Sequence, residues 1–247
     1  MSEIKMISNL SYSGIDEACR IHLFLPEEKG AKPLPLIIMI HGGGWQGGNQ
    51  DQYLGHSYHF AEEGFAVATI EYRFYPDVFL KSIIHDALSA CTFLKKEADK
   101  YGFDGSEMRL MGSSAGGHLS LIVSALSHKE SIENDLPRAI GVVAQCPVST
   151  LEGEERWDKI RNQMPLENCS PRHFDPGLFP KLFIQHGDAD DLISLKYSED
   201  FAEWINKNSG EAELDVLEGV GHGYGYSVHS EAGKIGYEKA LAFFKGL

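Results

Sequence analysis

No cysteine pair in this chain has metal-ligand or redox spacing. Cys19, Cys91, Cys146 and Cys169 stand far apart and form no CxxC, which argues against a zinc ribbon, a metal centre or a thioredoxin-type site. They read as free thiols, with a Cys146–Cys169 disulfide as the minority alternative. No apolar run approaches transmembrane length. The first residues, Met1-Ser2-Glu3-Ile4-Lys5, lack the basic-then-apolar order of a signal peptide. Both points lead to an expectation of a cytoplasmic protein, or a secreted one if a leader preceded these residues. Basic charge is also scarce: 22 Lys and Arg against 36 Asp and Glu give a net charge of −14. That balance repels phosphate backbones and anionic lipid, so no nucleic-acid and no membrane partner is expected. Internal repeats and low-complexity tracts are missing too.

What is present is an ordinary globular composition, 43% hydrophobic and 23% charged over 247 residues, enough for one sizeable core. Apolar runs at 35–40, 66–70, 108–111, 139–144 and 182–184 read as buried strands. Between them lie stretches with 3.6-residue apolar spacing: 82–98 with Ile83, Ile84, Ala87, Leu88, Cys91 and Leu94, then 119–126, 195–206 and 232–244. Such alternation predicts an α/β fold with a doubly wound, mostly parallel sheet and helices on both faces. Arg20 to Leu25 alternates like a strand exposed on one face, which suggests an antiparallel edge at the N-terminus. We expect a single domain over 1–247. The polar, proline-interrupted segment 147–180, with Trp157, His173, Phe174 and Phe179, is too long for an ordinary connection and reads as a small cap or lid.

The sequence Gly112-Ser113-Ser114-Ala115-Gly116 follows the apolar run 108–111 and precedes a helical stretch. A G-x-S-x-G at a strand–turn–helix junction is a nucleophile elbow, with Ser114 at the apex. Its flanking glycines let strand and helix pass close together while the serine backbone is strained. A serine hydroxyl needs a base, a group to orient that base, and donors for the oxyanion. The loop His41-Gly42-Gly43-Gly44-Trp45, directly after the strand ending at Ile40, is suited to the last task. Gly43 and Gly44 are the candidate donors, with the Ala115 N–H completing the hole.

In this fold the order of parts is serine, acid, histidine. His222, in Gly221-His222-Gly223 after the strand-like stretch 212–217, is the candidate base. His186 and His229 are less suited, the first in the turn that positions the acid and the second at the start of the last helix. Asp188, Asp190 and Asp191 compete for the acid. Asp190 sits a short loop beyond the strand end and is favoured, with Asp191 next. A calcium-like cluster there lacks a defined set of oxygen ligands. His41, His118, Tyr72 and Arg73 read as bracing residues. Trp45 and Trp157 are candidates for substrate contact.

Together these segments resemble the α/β-hydrolase superfamily, in its carboxylesterase branch with an HGGG-type oxyanion loop. The resemblance is carried by His41 to Trp45, Tyr72-Arg73, Gly112 to His118, His186-Gly187-Asp188-Ala189-Asp190 and Gly221-His222-Gly223, in that order along nearly the whole chain. It is the main support for Asp190 over its neighbours. The G-G-G-W loop and compact size resemble acetyl-xylan and feruloyl esterase-like members. Hormone-sensitive-lipase-like esterases carry a helical N-terminal cap that has no room before Gly42. Kynurenine-formamidase-like members usually have an aromatic at the position of Gly44. The resemblance implies hydrolysis of short acyl esters, acetyl above all, with no cofactor required. The implied partner is a small-molecule or carbohydrate ester, and a formamidase, small peptidase or non-catalytic binding module of this fold is the alternative. Monomer and homodimer both remain open.

Overall fold

The computed structural model describes residues 3–28, 30, 32–129 and 135–247. In chain order its elements are β1 (Ile4–Ser11), β2 (Arg20–Pro26), β3 (Leu36–Ile40), α1 (Leu54–Glu62), β4 (Ala66–Ile70), α2 (Leu80–Tyr101), β5 (Glu107–Ser113), α3 (Ala115–Ser127), β6 (Arg138–Gln145), α4 (Asp158–Arg161), β7 (Lys181–Gly187), α5 (Leu195–Lys207), β8 (Ala212–Leu217) and α6 (Glu231–Lys245). The strands form one sheet in the order β1-β2-β4-β3-β5-β6-β7-β8. The β1–β2 and β2–β4 pairs are antiparallel and the remaining pairs parallel. This is the α/β-hydrolase architecture.

Side chains alternate across the sheet and build a core on each face. From β3, Leu36, Ile38 and Ile40 join α2, α3 and α5 in the larger core. Ile37 and Met39 face the other way, toward Tyr53, Phe60, Ala240 and Phe244, where α1 and α6 pack. Because both faces are covered, β3 and β4 are buried at every position, which is why they read as continuous apolar runs. Helix α2 buries Leu80, Ile83, Ile84, Ala87, Ala90, Cys91, Leu94 and Ala98. It stops at Gly102, whose φ of 84° is available without a Cβ penalty and whose N–H donates to Ala98 O at 2.8 Å. Truncating a fully buried residue of this stripe, as in Leu94→Ala, removes about 2–5 kcal/mol of stability.

Two features depart from the sequence reading. Helix α1 is absent from the helices read from sequence, and β2, expected to be exposed on one face, is buried from Ile21 to Pro26, where β1 and β4 flank it in the antiparallel N-terminal hairpin edge that Arg20 to Leu25 suggested. The stretch 147–180 contains the four-residue α4 and short 3-10 turns. It is tied down by Leu80 N–H donating to Gln163 Oε1 (2.7 Å), Leu151 N–H donating to Ser170 Oγ (3.1 Å) and Arg172 N–H donating to Ser149 O (3.0 Å). All four cysteines are buried and free. Among the described residues, no helix is long and apolar enough to cross a membrane.

Candidate active site

Ser114 sits between the end of β5 and the start of α3 with φ 56° and ψ −120°, a conformation that costs a non-glycine residue about 1–3 kcal/mol. Neighbouring chain holds it there. The Ser114 N–H donates to Gln145 O at the end of β6 (2.9 Å), and Ser114 O accepts from His118 N–H (3.0 Å). The glycines have specific steric reasons. A Cβ on Gly116 would strike the backbone of Ile40 and His41, and one on Gly112 would meet Gly116 and lie 2.6 Å from Ser120 Oγ.

The glycine loop passes directly beside this turn. A Cβ on Gly42 would fall 2.6 Å from Ser113 O and 3.2 Å from the Ser114 Cβ. Gly43, Gly44 and Trp45 all take positive φ, at 118°, 62° and 60°, so the loop curls tightly. Its bracing is dense. His41 Nδ1 faces Gly42 O at 2.7 Å and its Nε2 faces Glu71 Oε1 at 3.0 Å. The Tyr72 hydroxyl donates to His41 O (2.8 Å) and its ring stacks on the imidazole at 4.4 Å. Glu71 Oε2 accepts from Gln50 N–H. Arg73 forms a two-pronged bond to Asp86 of α2. The Gly42 N–H itself is taken by Tyr226 Oη at 2.7 Å.

At the far side, Asp190 and His222 meet. Asp190 Oδ2 is 2.7 Å from His222 Nδ1, while Oδ1 accepts from the N–H groups of Leu192 (2.9 Å) and Ile193 (2.8 Å). The Asp190 side chain has no exposed surface, whereas that of His222 is 18% exposed, so the ring opens toward solvent and the carboxylate does not. Burial raises the Asp190 pKa, but the bonds from Ile193, His222 and Leu192 outweigh it and hold the carboxyl below its ordinary value. Burial lowers the His222 pKa, yet hydrogen bonding and charge from Cys146, and then from Asp190, leave it pushed up to about 9. The competing aspartates lie elsewhere. Asp188 Oδ1 accepts from Gly219 N–H, and Asp191 is exposed. His186 is buried, with Nδ1 on Ser198 Oγ and Nε2 near Ile193 O and 3.3 Å from Asp190 Oδ2. His229 is exposed ahead of α6.

Trp45 has no exposed surface. It packs edge-on against His118 (5.0 Å) and Trp157 (5.5 Å), so it backs the site while the half-buried Trp157 lies nearer the surface. His118 is fully buried, donates from Nε2 to Cys169 O at 2.7 Å, and is held down to about 4 by desolvation; it links α3 to the 147–180 segment. Three further residues reach the site without having been picked out by sequence: Gln145, Tyr226 and Cys146. The Cys146 sulfur, a carboxylate oxygen of Asp190 and a ring nitrogen of His222 lie within 4.8 Å of one another. Among the described residues this is the group spaced to share a metal ion. Its aspartate and histidine are already joined by a short hydrogen bond, so the arrangement is equally that of a proton-carrying pair.

The BD-FAE family model matches residues 21–151, more than half of the chain. The chain belongs to the BD-FAE family. Among solved structures, this BD-FAE chain superposes on a thermophilic esterase from Thermogutta terrifontis, Est2, in its propionate-bound form. That match has a TM-score of 0.82 and 26% identity, covering 99% of this chain and 94% of the other. Esterase B from Lactobacillus rhamnosis, inhibited by a C4-C4 tributyrin phosphonate, superposes with a TM-score of 0.87 at 21% identity, covering 98% and 85%; this likeness is one of fold. By sequence, a rice (Oryza sativa subsp. japonica) protein named as a probable isoprenylcysteine alpha-carbonyl methylesterase is 26% identical over 82% of this chain and 54% of its own length. The chain spans about half the length of the curated relatives it matches most strongly.

Proposed function

We propose that this BD-FAE chain is a serine carboxylesterase acting on short acyl esters. The observation that carries this reading is the 2.7 Å Asp190–His222 bond formed beyond the ends of β7 and β8, on a sheet whose β5 is followed by a serine with the strained elbow conformation. Ser114 is the nucleophile, His222 the general base and Asp190 the group that fixes its tautomer. With Nδ1–H committed to Asp190, Nε2 is the nitrogen left to accept a proton. Ser114 Oγ bonds to the acyl carbon as its proton passes to His222. The N–H groups of Gly43, Gly44 and Ala115 stabilise the oxyanion. The C–O bond to the alcohol breaks, the alcohol leaves with the proton, and water activated by His222 releases the acid from the acyl-serine.

A short acyl chain, acetyl to butyryl, fits Trp45 closing the site from behind. It also fits the propionate-bound state of the Thermogutta esterase. Carbohydrate acetyl esters are the favoured natural substrates, through the resemblance carried by the G-G-G-W loop. The 147–180 segment acts as a small cap, with Trp157 lining the entrance. The test is Ser114→Ala assayed on p-nitrophenyl acetate, alongside labelling by a fluorophosphonate probe. We expect a loss of about 10⁵–10⁶ in kcat and no labelling of the variant. Parent-like turnover by Ser114→Ala would sink the assignment.

A further inference from the structure

The sheet order β5-β6-β7 has a consequence at the site. Ser114 follows β5 and Asp190 follows β7, so the end of β6 lies between them. The residue there is Cys146. Its backbone is bent to φ 37°, an uncommon conformation for a residue with a Cβ. Its N–H donates to Gln185 O of β7 at 2.7 Å, one residue after Gln145 O accepts from Ser114 N–H. The thiol is buried and meets Asp190 and His222 within 4.8 Å. On its other side Sγ is 3.4 Å from Ser113 Oγ. Ser113 also bonds the Tyr226 phenol, which accepts the Gly42 N–H at 2.7 Å. A chain of polar neighbours therefore runs from the glycine loop through Tyr226 and Ser113 to Cys146, whose Sγ lies within 4.8 Å of the imidazole.

We propose that Cys146 is a positioning residue for His222, the last link of this chain, supporting the ring beside its bond to Asp190 and stabilising its protonated form. The proposal rests on the reading of Ser114 and His222 given above. Sulfur suits the place because it is polarizable, and a thiol both donates and accepts weakly. A polarizable sulfur beside the ring stabilises the imidazolium without taking the place of the Ser114 hydroxyl at Nε2. Asp190, His186, Tyr224 and Tyr226 are titratable groups around the ring and the thiol.

The test compares Cys146→Ala, Cys146→Ser and Ser113→Ala with the parent, by kcat and KM against pH on p-nitrophenyl acetate, with far-UV circular dichroism as the check on folding. Cys146→Ala is expected to lower kcat about tenfold with KM within about twofold, as for loss of a group that acts on the transition state, and to move the acid limb of the kcat profile to lower pH. Cys146→Ser should recover most of both. Ser113→Ala, which breaks the chain without opening a cavity at 146, should move the limb the same way by less. A folded Cys146→Ala with an unmoved acid limb overturns the proposal, whether or not kcat falls, because a merely structural role leaves the limb in place. If Cys146→Ala does not fold, an unmoved limb in Ser113→Ala overturns it instead. Failure of the underlying reading looks different: the parent itself would not take up a fluorophosphonate at Ser114.

Discussion

The two sides of the site are held in different ways. On the floor, each key group is fixed by close hydrogen bonds: the Ser114 N–H to Gln145 O, Asp190 by the N–H groups of Leu192 and Ile193, and His41 by Gly42 O and the Glu71 carboxylate. The 147–180 segment packed beside it is built of single turns; it sinks Val148, Leu151, Cys169 and Phe174 into the shared core and meets the floor in contacts such as His118 with Cys169 O and Trp45 with Trp157. Dense bonding suits groups whose geometry must not drift, because small misplacements of reacting atoms cost large factors in rate. Sparse bonding suits a region that decides what enters. In the proposed enzyme, the floor should therefore govern kcat and the segment should govern selectivity.

The sharpest test of that division is Asp190→Asn, which keeps the shape but reverses the tautomer preference. It should lower kcat about 10⁴-fold with an unchanged circular dichroism spectrum. Glu71→Gln comes next. Weakening the brace under His41 should cost about tenfold to a hundredfold in kcat through a loosened oxyanion loop, together with a lower thermal midpoint. On the other side, Trp157→Ala should change kcat/KM by less than about tenfold and shift preference toward longer acyl chains, as expected when a pocket wall recedes. A loss of several powers of ten from this one change would break the comparison.

The smallest effects concern pH. The base must be neutral to act, and the His222 pKa lies above its ordinary 6.5, at about 9. Activity should therefore rise with pH through an acid limb between those values. Stability runs the opposite way. A pKa raised on folding adds stability that is fully present below the unfolded value and fades as pH climbs through the folded one. The thermal midpoint gap between parent and His222→Ala should accordingly be wider at pH 6 than at pH 10. An equal gap at both would show that His222 is not charged in the folded state.

Much of this was readable from residue order. The central strands are buried on both faces, so their apolar runs are continuous and unmistakable. The outermost strand β1 is half exposed and its pairing with β2 slips between Ile7 and Leu10, so it left no clear period. Helix α1 carries Gly55 and two histidines in Leu54–Glu62, which blur its apolar stripe. At the site, the glycine loop, the elbow and the turn at Gly223 announce themselves because positive φ or close backbone approach favours glycine at Gly43, Gly44, Gly112, Gly116 and Gly223. Asp190 could be separated from Asp188 and Asp191 only by resemblance, since all three share one turn. Cys146 and Tyr226 carry no motif: their placement follows from strand order and from a contact across 184 residues.

The route of the chain through the sheet explains why there is an opening at all. After β3 the chain departs toward the face covered by α1, whereas after the adjacent β5 it departs toward the face covered by α3. Neighbouring strands whose exits diverge leave a gap above their carboxyl ends. The hollow is therefore set by winding direction before any side chain is chosen, and later substitutions can furnish it for new esters without having to excavate it.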